Sequence, residues 1–153
     1  MRIQLLAIGF AVLAAHADDI SCRVVGVTDG DTLTCLTGSN EQIKVRLAQI
    51  DAPEKAQPIG QRSKESLSDL SFNKNVTLKV ETTDRYGRTV ATVMDGSTDV
   101  NLLQVKRGMA WVYDKYAHDQ SYFDAEDVAR TGKVGLWVDK NPIEPSKWRK
   151  GER

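Results

Sequence analysis

Four carboxylates and three arginines stand out in this chain by type and spacing. Asp29 and Asp31 flank a glycine in "TDGDT", and Asp51 and Glu54 flank a proline at the end of "VRLAQIDAPE". Three or four carboxylate oxygens gathered at one place suit a hard cation, calcium above all. Arg46 lies five residues before Asp51, and Arg85 and Arg88 bracket "RYGR". Guanidinium forks match the geometry of phosphate and keep their charge at any working pH. A cation held by acids and faced by arginines is chemistry for a phosphate ester.

Each piece also has a plain structural reading. Asp-Gly-Asp alone is a turn, and Asp51 to Glu54 alone closes a strand. Arg46 alone belongs to a solvated face, and Tyr86-Gly87-Arg88 to a hairpin loop. Together they ask for a common explanation, and the rest of the inventory narrows it. With His16 in the leader discussed below, His118 is the one remaining histidine, too few for paired-imidazole cleavage. With two cysteines it does not make a four-ligand zinc site. No G-x-S-x-G, P-loop, H-E-x-x-H or EF-hand pattern occurs.

The elements that must position these groups follow from periodicity. Apolar and β-branched residues from Ile20 to Val27 and from Thr32 to Leu36 flank the Asp-Gly turn, which reads as a hairpin. In "EQIKVRLAQI" Ile43, Val45 and Leu47 alternate with Lys44, Arg46 and Ala48, which puts Arg46 on the face opposite the apolar one. "NVTLKVET" and "TVATVM" give two further strands around "TDRYGR". Between the third and fourth strands, "IGQRSKESLSDLSF" spaces Leu67 and Leu70, with Ile59 and Phe72 at its ends, as an amphipathic helix. A second helix carries Val100, Leu102 and Leu103 and ends at Gly108; a third spans Asp119 to Thr131 with Phe123, Val128 and Ala129 inward, stopped by Gly132 and Gly135. The tail reads as irregular, packed through Leu136 and Trp137, with its last basic residues in solvent. This order predicts an α+β domain, a five-stranded OB-type β-barrel with about three helices. Its core spans about 20–138 and its tail 139–153.

Hydropathy and charge bound the class. The chain is 41% hydrophobic and 27% charged, which fits one globular domain of 153 residues. Residues 1–17, "MRIQLLAIGFAVLAAHA", combine Arg2, an apolar run and Ala15-His16-Ala17, the pattern of a signal peptide cut after Ala17. The run is too short for the ~20 residues of a membrane span. The protein is therefore expected to be exported, to a periplasm or the medium, with residues 18–153 as the mature domain. Losing Arg2 takes the neutral chain to a net charge of −1, so a polyanion would be held by local arginines rather than by overall attraction.

Export places Cys22 and Cys35 in an oxidising compartment, where one disulfide is expected. A two-residue turn at Asp29-Gly30 would set Cys35 opposite Val24 and only diagonal to Cys22, ~7 to 8 Å away. Extra unpaired residues in the first strand, or a turn shifted toward Thr28, are therefore expected to bring the cysteines face to face.

"DGDT" (29–32), "VRLAQIDAPE" (45–54), "DRYGR" (84–88), "VNLLQVKRGMA" (100–110) and "GLW" (135–137), in this order and spacing, resemble the staphylococcal nuclease family of secreted calcium-dependent nucleases. The likeness runs from about Val24 to Trp148. It implies Asp31 and Asp51 as carboxylate ligands of Ca2+, with the backbone carbonyl of Ala52 as a third. It further implies Glu54 as the group that orients or deprotonates water, and Arg46 and Arg88 as the grip on the scissile phosphate. Asp29 would stand in the outer shell, and Arg85 and Tyr86 at the neighbouring phosphate. DNA and RNA are the implied substrates, cut to leave 3′-phosphate ends by a protein with no obligate partner, expected to be a monomer. A prominent member has threonine where this chain has Ala52, and a longer loop where it has "KAQPIGQR". Two rival readings remain: a non-catalytic OB-fold module that binds nucleic acid, and a secreted calcium-stabilised module with no nucleic-acid partner. Modules of the first kind usually lose the acids and arginines present here; the three arginines argue against the second.

Overall fold

A computed structural model describes residues 19–152. The segment read as a signal peptide, 1–17, lies outside the described residues. Five long strands build the barrel: β1 (Ile20–Asp29), β2 (Thr32–Thr37), β3 (Gln42–Leu47), β5 (Asn75–Thr83) and β6 (Thr89–Asp95). Short strands β4 (Ile50–Asp51), β7 (Thr98–Asp99) and β8 (Trp111–Val112) fall between them and after them. The sheet order is β3-β2-β1-β5-β6-β7, and β3 also pairs in parallel with β6 through Val45↔Thr89 and Leu47↔Ala91. That pairing closes a mixed five-stranded barrel of the expected α+β, OB-type class.

The period-two pattern fills the interior. Val24, Leu33, Val45, Leu47, Leu78 and Val93 are fully enclosed, one or two from each barrel strand. Helices close the barrel: α1 (Gly60–Ser71) through Leu67 and Leu70, α2 (Val100–Lys106) through Val100 and Val105, and α3 (Gln120–Thr131) through Tyr122 and Ala125. α2 begins on Asp99, whose carboxylate accepts from the backbone of Leu102, and ends where Gly108 takes a left-handed φ of 66°. Leu136 and Trp137 are buried as expected, in a smaller cluster with Trp111 and Ala129.

Four expectations change. Phe72 and Val128 point outward, 52% and 73% exposed, because Tyr122, Ala125, Glu126 and Ala129 form the inward stripe of α3, and Phe72 lies just past the end of α1. The tail is less irregular than expected, since a fourth helix, α4 (Pro145–Arg149), starts with proline at its first position. Its Arg149 does not stay in solvent but reaches Asp51 and Glu54. The fourth change concerns the disulfide.

Cys22 and Cys35 are bonded, and β1 carries two register shifts, between Val24 and Gly26 and between Val27 and Asp29. Yet the turn has moved to Gly30-Asp31, away from Thr28, so the two bulges only cancel that displacement. Cys35 stays opposite Val24, and Cys22 opposite Thr37. The diagonal closes to 5.6 Å between Cα atoms, within ordinary disulfide reach, on a strand whose bulges increase its local twist. Reducing this bond is expected to cost about 3 kcal/mol on the chain-entropy account. Urea midpoints with and without reductant check it; coincident curves would remove the stabilising role.

Candidate active site

The turn between β1 and β2 and the segment after β4 form the site. The Asp31 carbonyl accepts from Leu47 N–H at 2.8 Å, which fixes the turn to the end of β3. Asp31 Oδ2 accepts from Ala52 N–H at 2.7 Å, and its Oδ1 accepts from the Thr32 hydroxyl at 3.0 Å. Gly30 is needed for this approach: a Cβ there would lie 1.8 Å from Ser63 Oγ and 2.8 Å from the Ala52 Cβ. Two buried amides of α2 hold the backbone behind. Gln104 Nε2 donates to the Gly30 carbonyl, at 2.9 Å, and to that of Ser63. Asn101 Nδ2 donates to Ala48 and Ala91 carbonyls, tying the link between β3 and β4 to β6.

Asp51 comes from the opposite side. Its strand pairs antiparallel with β8, Asp51 facing Trp111, so the acid is fixed by a strand sixty residues further along. Asp31 and Asp51 are both buried, 6% and 3% exposed, and Arg46 bridges them: its Nη2 is 3.3 Å from Asp31 Oδ2 and 3.3 Å from Asp51 Oδ1. Arg46 Nη1 donates to the carbonyls of Leu47 and Ile50 at 2.7 and 2.8 Å, so both terminal nitrogens of this guanidinium are held. Glu54 follows within the same segment. Its N–H donates to Gln57 Oε1, and Gln57 Nε2 donates to the Ile143 carbonyl at 2.6 Å.

Not every predicted residue joins this cluster. Asp29 does lie beside it, its Oδ1 accepting from Asp31 N–H at 3.1 Å. Arg88 is paired with Asp84, Nε to Oδ2 2.7 Å, one residue before the position that pairs with Val45 of β3. Asp84 Oδ1 also accepts from the backbone of Tyr86 and Arg88, which shapes the loop. Arg85 and Arg88 both lie against the ring of Tyr86, which is 68% exposed. Arg85, Tyr86 and Arg88 therefore form a cationic and aromatic rim, not part of the buried cluster.

Electrostatics favour added positive charge. Burial, with the Asp31 charge behind it, pushes the Asp29 carboxyl up to about 7. Burial also holds Asp51 above the usual carboxylate range, with Asp31 adding to it, despite hydrogen bonds from Arg149 and the Arg46 guanidinium. Burial would raise Asp31 too, but Arg46 and hydrogen bonds from its neighbours outweigh it and leave Asp31 low. A pocket that strains to protonate two of its three aspartates stabilises a cation placed among them. Its donors are all oxygen, which suits calcium or magnesium rather than zinc. Among the described residues no three His, Cys, Asp or Glu side chains gather around one point. Asp31 and Asp51 would thus supply two ligands, and a backbone carbonyl and water the others.

The comparison with known proteins bears on this arrangement. The family model described as "Staphylococcal nuclease homologue" matches residues 44–139, from β3 through the Asp51 segment to the 3-10 turn at Gly135–Val138. The chain belongs to the staphylococcal nuclease family. An "Uncharacterized endonuclease" of Haemophilus influenzae is 52% identical over 150 residues, 98% of this chain and 84% of that protein. A "Micrococcal nuclease" of Shigella flexneri is 38% identical over 146 residues, 88% and 83% of the two chains. An "Uncharacterized endonuclease" of Escherichia coli is 41% identical over 133 residues, 86% of each. The protein is a nuclease of the staphylococcal nuclease family, a hydrolase acting on nucleic acid.

Sequence reasoning passed over Gln57, Asn101, Gln104 and Arg149. The first three are polar residues whose burial nothing local announces. Proline at 145 does signal a helix start, but the purpose of Arg149 needs the Asp51 loop brought beside it in space.

Proposed function

We propose that this nuclease is an exported, monomeric endonuclease that hydrolyses phosphodiester bonds of DNA and RNA with Ca2+ and leaves 3′-phosphate ends. The observation that carries the reading is the convergence of buried Asp31 and Asp51 on one Arg46 nitrogen, with Glu54 on the same segment as Asp51. A calcium ion held by Asp31, Asp51 and the Ala52 carbonyl would supply electrostatic stabilisation of charge on the phosphate.

The chain's own residues do the rest. Arg46 and Arg88 grip the phosphate that is cut, Arg88 favouring its charge-rich transition state. Glu54 orients an attacking water and takes its proton. Arg85 and Tyr86, on the exposed rim, meet the neighbouring phosphate, and Asp29 steadies Asp31 from the outer shell. Alanine at 52 leaves the carbonyl in place and removes only a hydroxyl. Export is supported by the character of residues 1–17 and by the Cys22–Cys35 bond. Among the described residues no helix is long and apolar enough to cross a membrane.

The test is a plasmid and an RNA incubated with purified protein across a series of divalent metals. Calcium is expected to give degradation of both, a chelator to protect both, and the fragment ends to resist ligation until the phosphate is moved. Intact nucleic acid in every tube, with retained binding, would favour the non-catalytic module instead.

A further inference from the structure

Arg149 departs from the tail to take the two carboxylates that the proposed mechanism needs free. Its Nη1 and Nη2 lie 3.1 and 3.0 Å from the two oxygens of Asp51, a fork-to-fork pair, and Nη1 is also 2.8 Å from Glu54 Oε1. Asp51 Oδ1 receives Arg46 as well, so both oxygens of Asp51 face guanidinium nitrogen. The groups that meet here are Asp31, Asp51 and Glu54 with Arg46 and Arg149, three negative charges against two positive, with Asp29 behind Asp31.

A bidentate guanidinium and a metal ion use the same in-plane lone pairs of a carboxylate. Arg46 is anchored by two backbone carbonyls, whereas the hydrogen bonds of Arg149 go to Asp51 and Glu54 and its side chain is 38% exposed. We propose that Arg149 is a resident counter-cation of the acidic site, which competes with the divalent ion for Asp51 and sets the ion concentration the enzyme requires. This rests on the reading of Asp31 and Asp51 as metal ligands.

When the ion takes Asp51, Arg149 gives up Glu54 too, since one nitrogen, Nη1, serves both acids. The carboxylate oxygen that must accept a proton from water is thereby released in the same movement. The excursion is short. Gln57 holds the tail at Ile143, and Pro145 at the start of α4 is buried, so what moves is the Arg149 side chain and the end of α4 that carries it.

Calorimetric calcium titration of the full protein and three variants tests this. Arg149→Gln is expected to bind calcium about tenfold more tightly than wild type, Arg149→Lys to fall between, and Asp51→Asn to lose binding. In the wild type alone, calcium is expected to speed hydrogen exchange at the amides of Ser146–Arg149. Equal or weaker calcium binding by Arg149→Gln, or exchange in α4 that calcium leaves unchanged or slows, overturns the proposal. Binding that Asp51→Asn abolishes but Arg149→Gln does not tighten refutes the counter-cation alone. A wild type that binds no calcium refutes the metal reading and this inference with it.

Discussion

Glu54→Gln is expected to lower kcat by roughly 10²- to 10⁴-fold, the range for removing a positioned general base. The substitution keeps the size of the side chain and removes its ability to accept a proton from water, together with its charge toward Arg149. Glu54 sits in the segment braced by Gln57, and the brace uses the Glu54 backbone N–H, which the variant retains. The side chain is 37% exposed, so an amide there leaves no charge stranded in the interior. Single-turnover cleavage of a labelled duplex, beside a thermal melt, measures both effects. A variant that folds and retains a tenth or more of the wild-type rate would show that another group activates the water.

Arg88→Ala is expected to cost about 10²- to 10³-fold in kcat with a much smaller change in KM, the signature of a donor that acts on developing charge. The structure adds a complication. Arg88 is paired with Asp84, whose carboxyl is held below the usual range by hydrogen bonds from Arg88 and Tyr86 that outweigh desolvation. Removing Arg88 therefore also loosens the loop that carries Arg85 and Tyr86. Asp84→Asn separates the two effects, because it weakens the pair and keeps the guanidinium. That variant should stay within about tenfold of wild type on the same reasoning. If it falls as far as Arg88→Ala, loop order rather than the Arg88 charge limits the rate.

The barrel was legible because apolar residues alternate along its strands with less buried ones, so Val45 and Leu47 declare the interior while Arg46 declares the opposite side. The parallel contact of β3 with β6 has no such mark, since closure is a property of twist and shear, not of a local pattern. Helix α3 shows the limit of periodicity: Val128 is apolar but lies off the stripe that Tyr122, Ala125 and Ala129 define. The acids that the structure gathers were legible as turn and strand-end residues, and Arg46 by its place between apolar neighbours. The amides that hold them were not. Asn101 and Gln104 are polar letters within a helix, and their value lies in carbonyls about fifty and seventy residues away. Arg149 was read as part of a solvated basic end because sequence distance hides an ion pair spanning ninety-eight residues. The disulfide was expected correctly, but its register was not, because the bulges in β1 and the placement of its turn offset one another.

The pairing of Asp51 with Trp111 sets an order for the assembly of the site during synthesis. A chain still emerging from the ribosome at residue 100 already has every acid and arginine of the barrel, yet lacks the strand that lines Asp51 up against Asp31. Non-local pairing of this kind forms late, since the chain between must first be closed. Half-made copies therefore lack the brace on Asp51, and the site is expected to be complete only after Trp111 has left the ribosome.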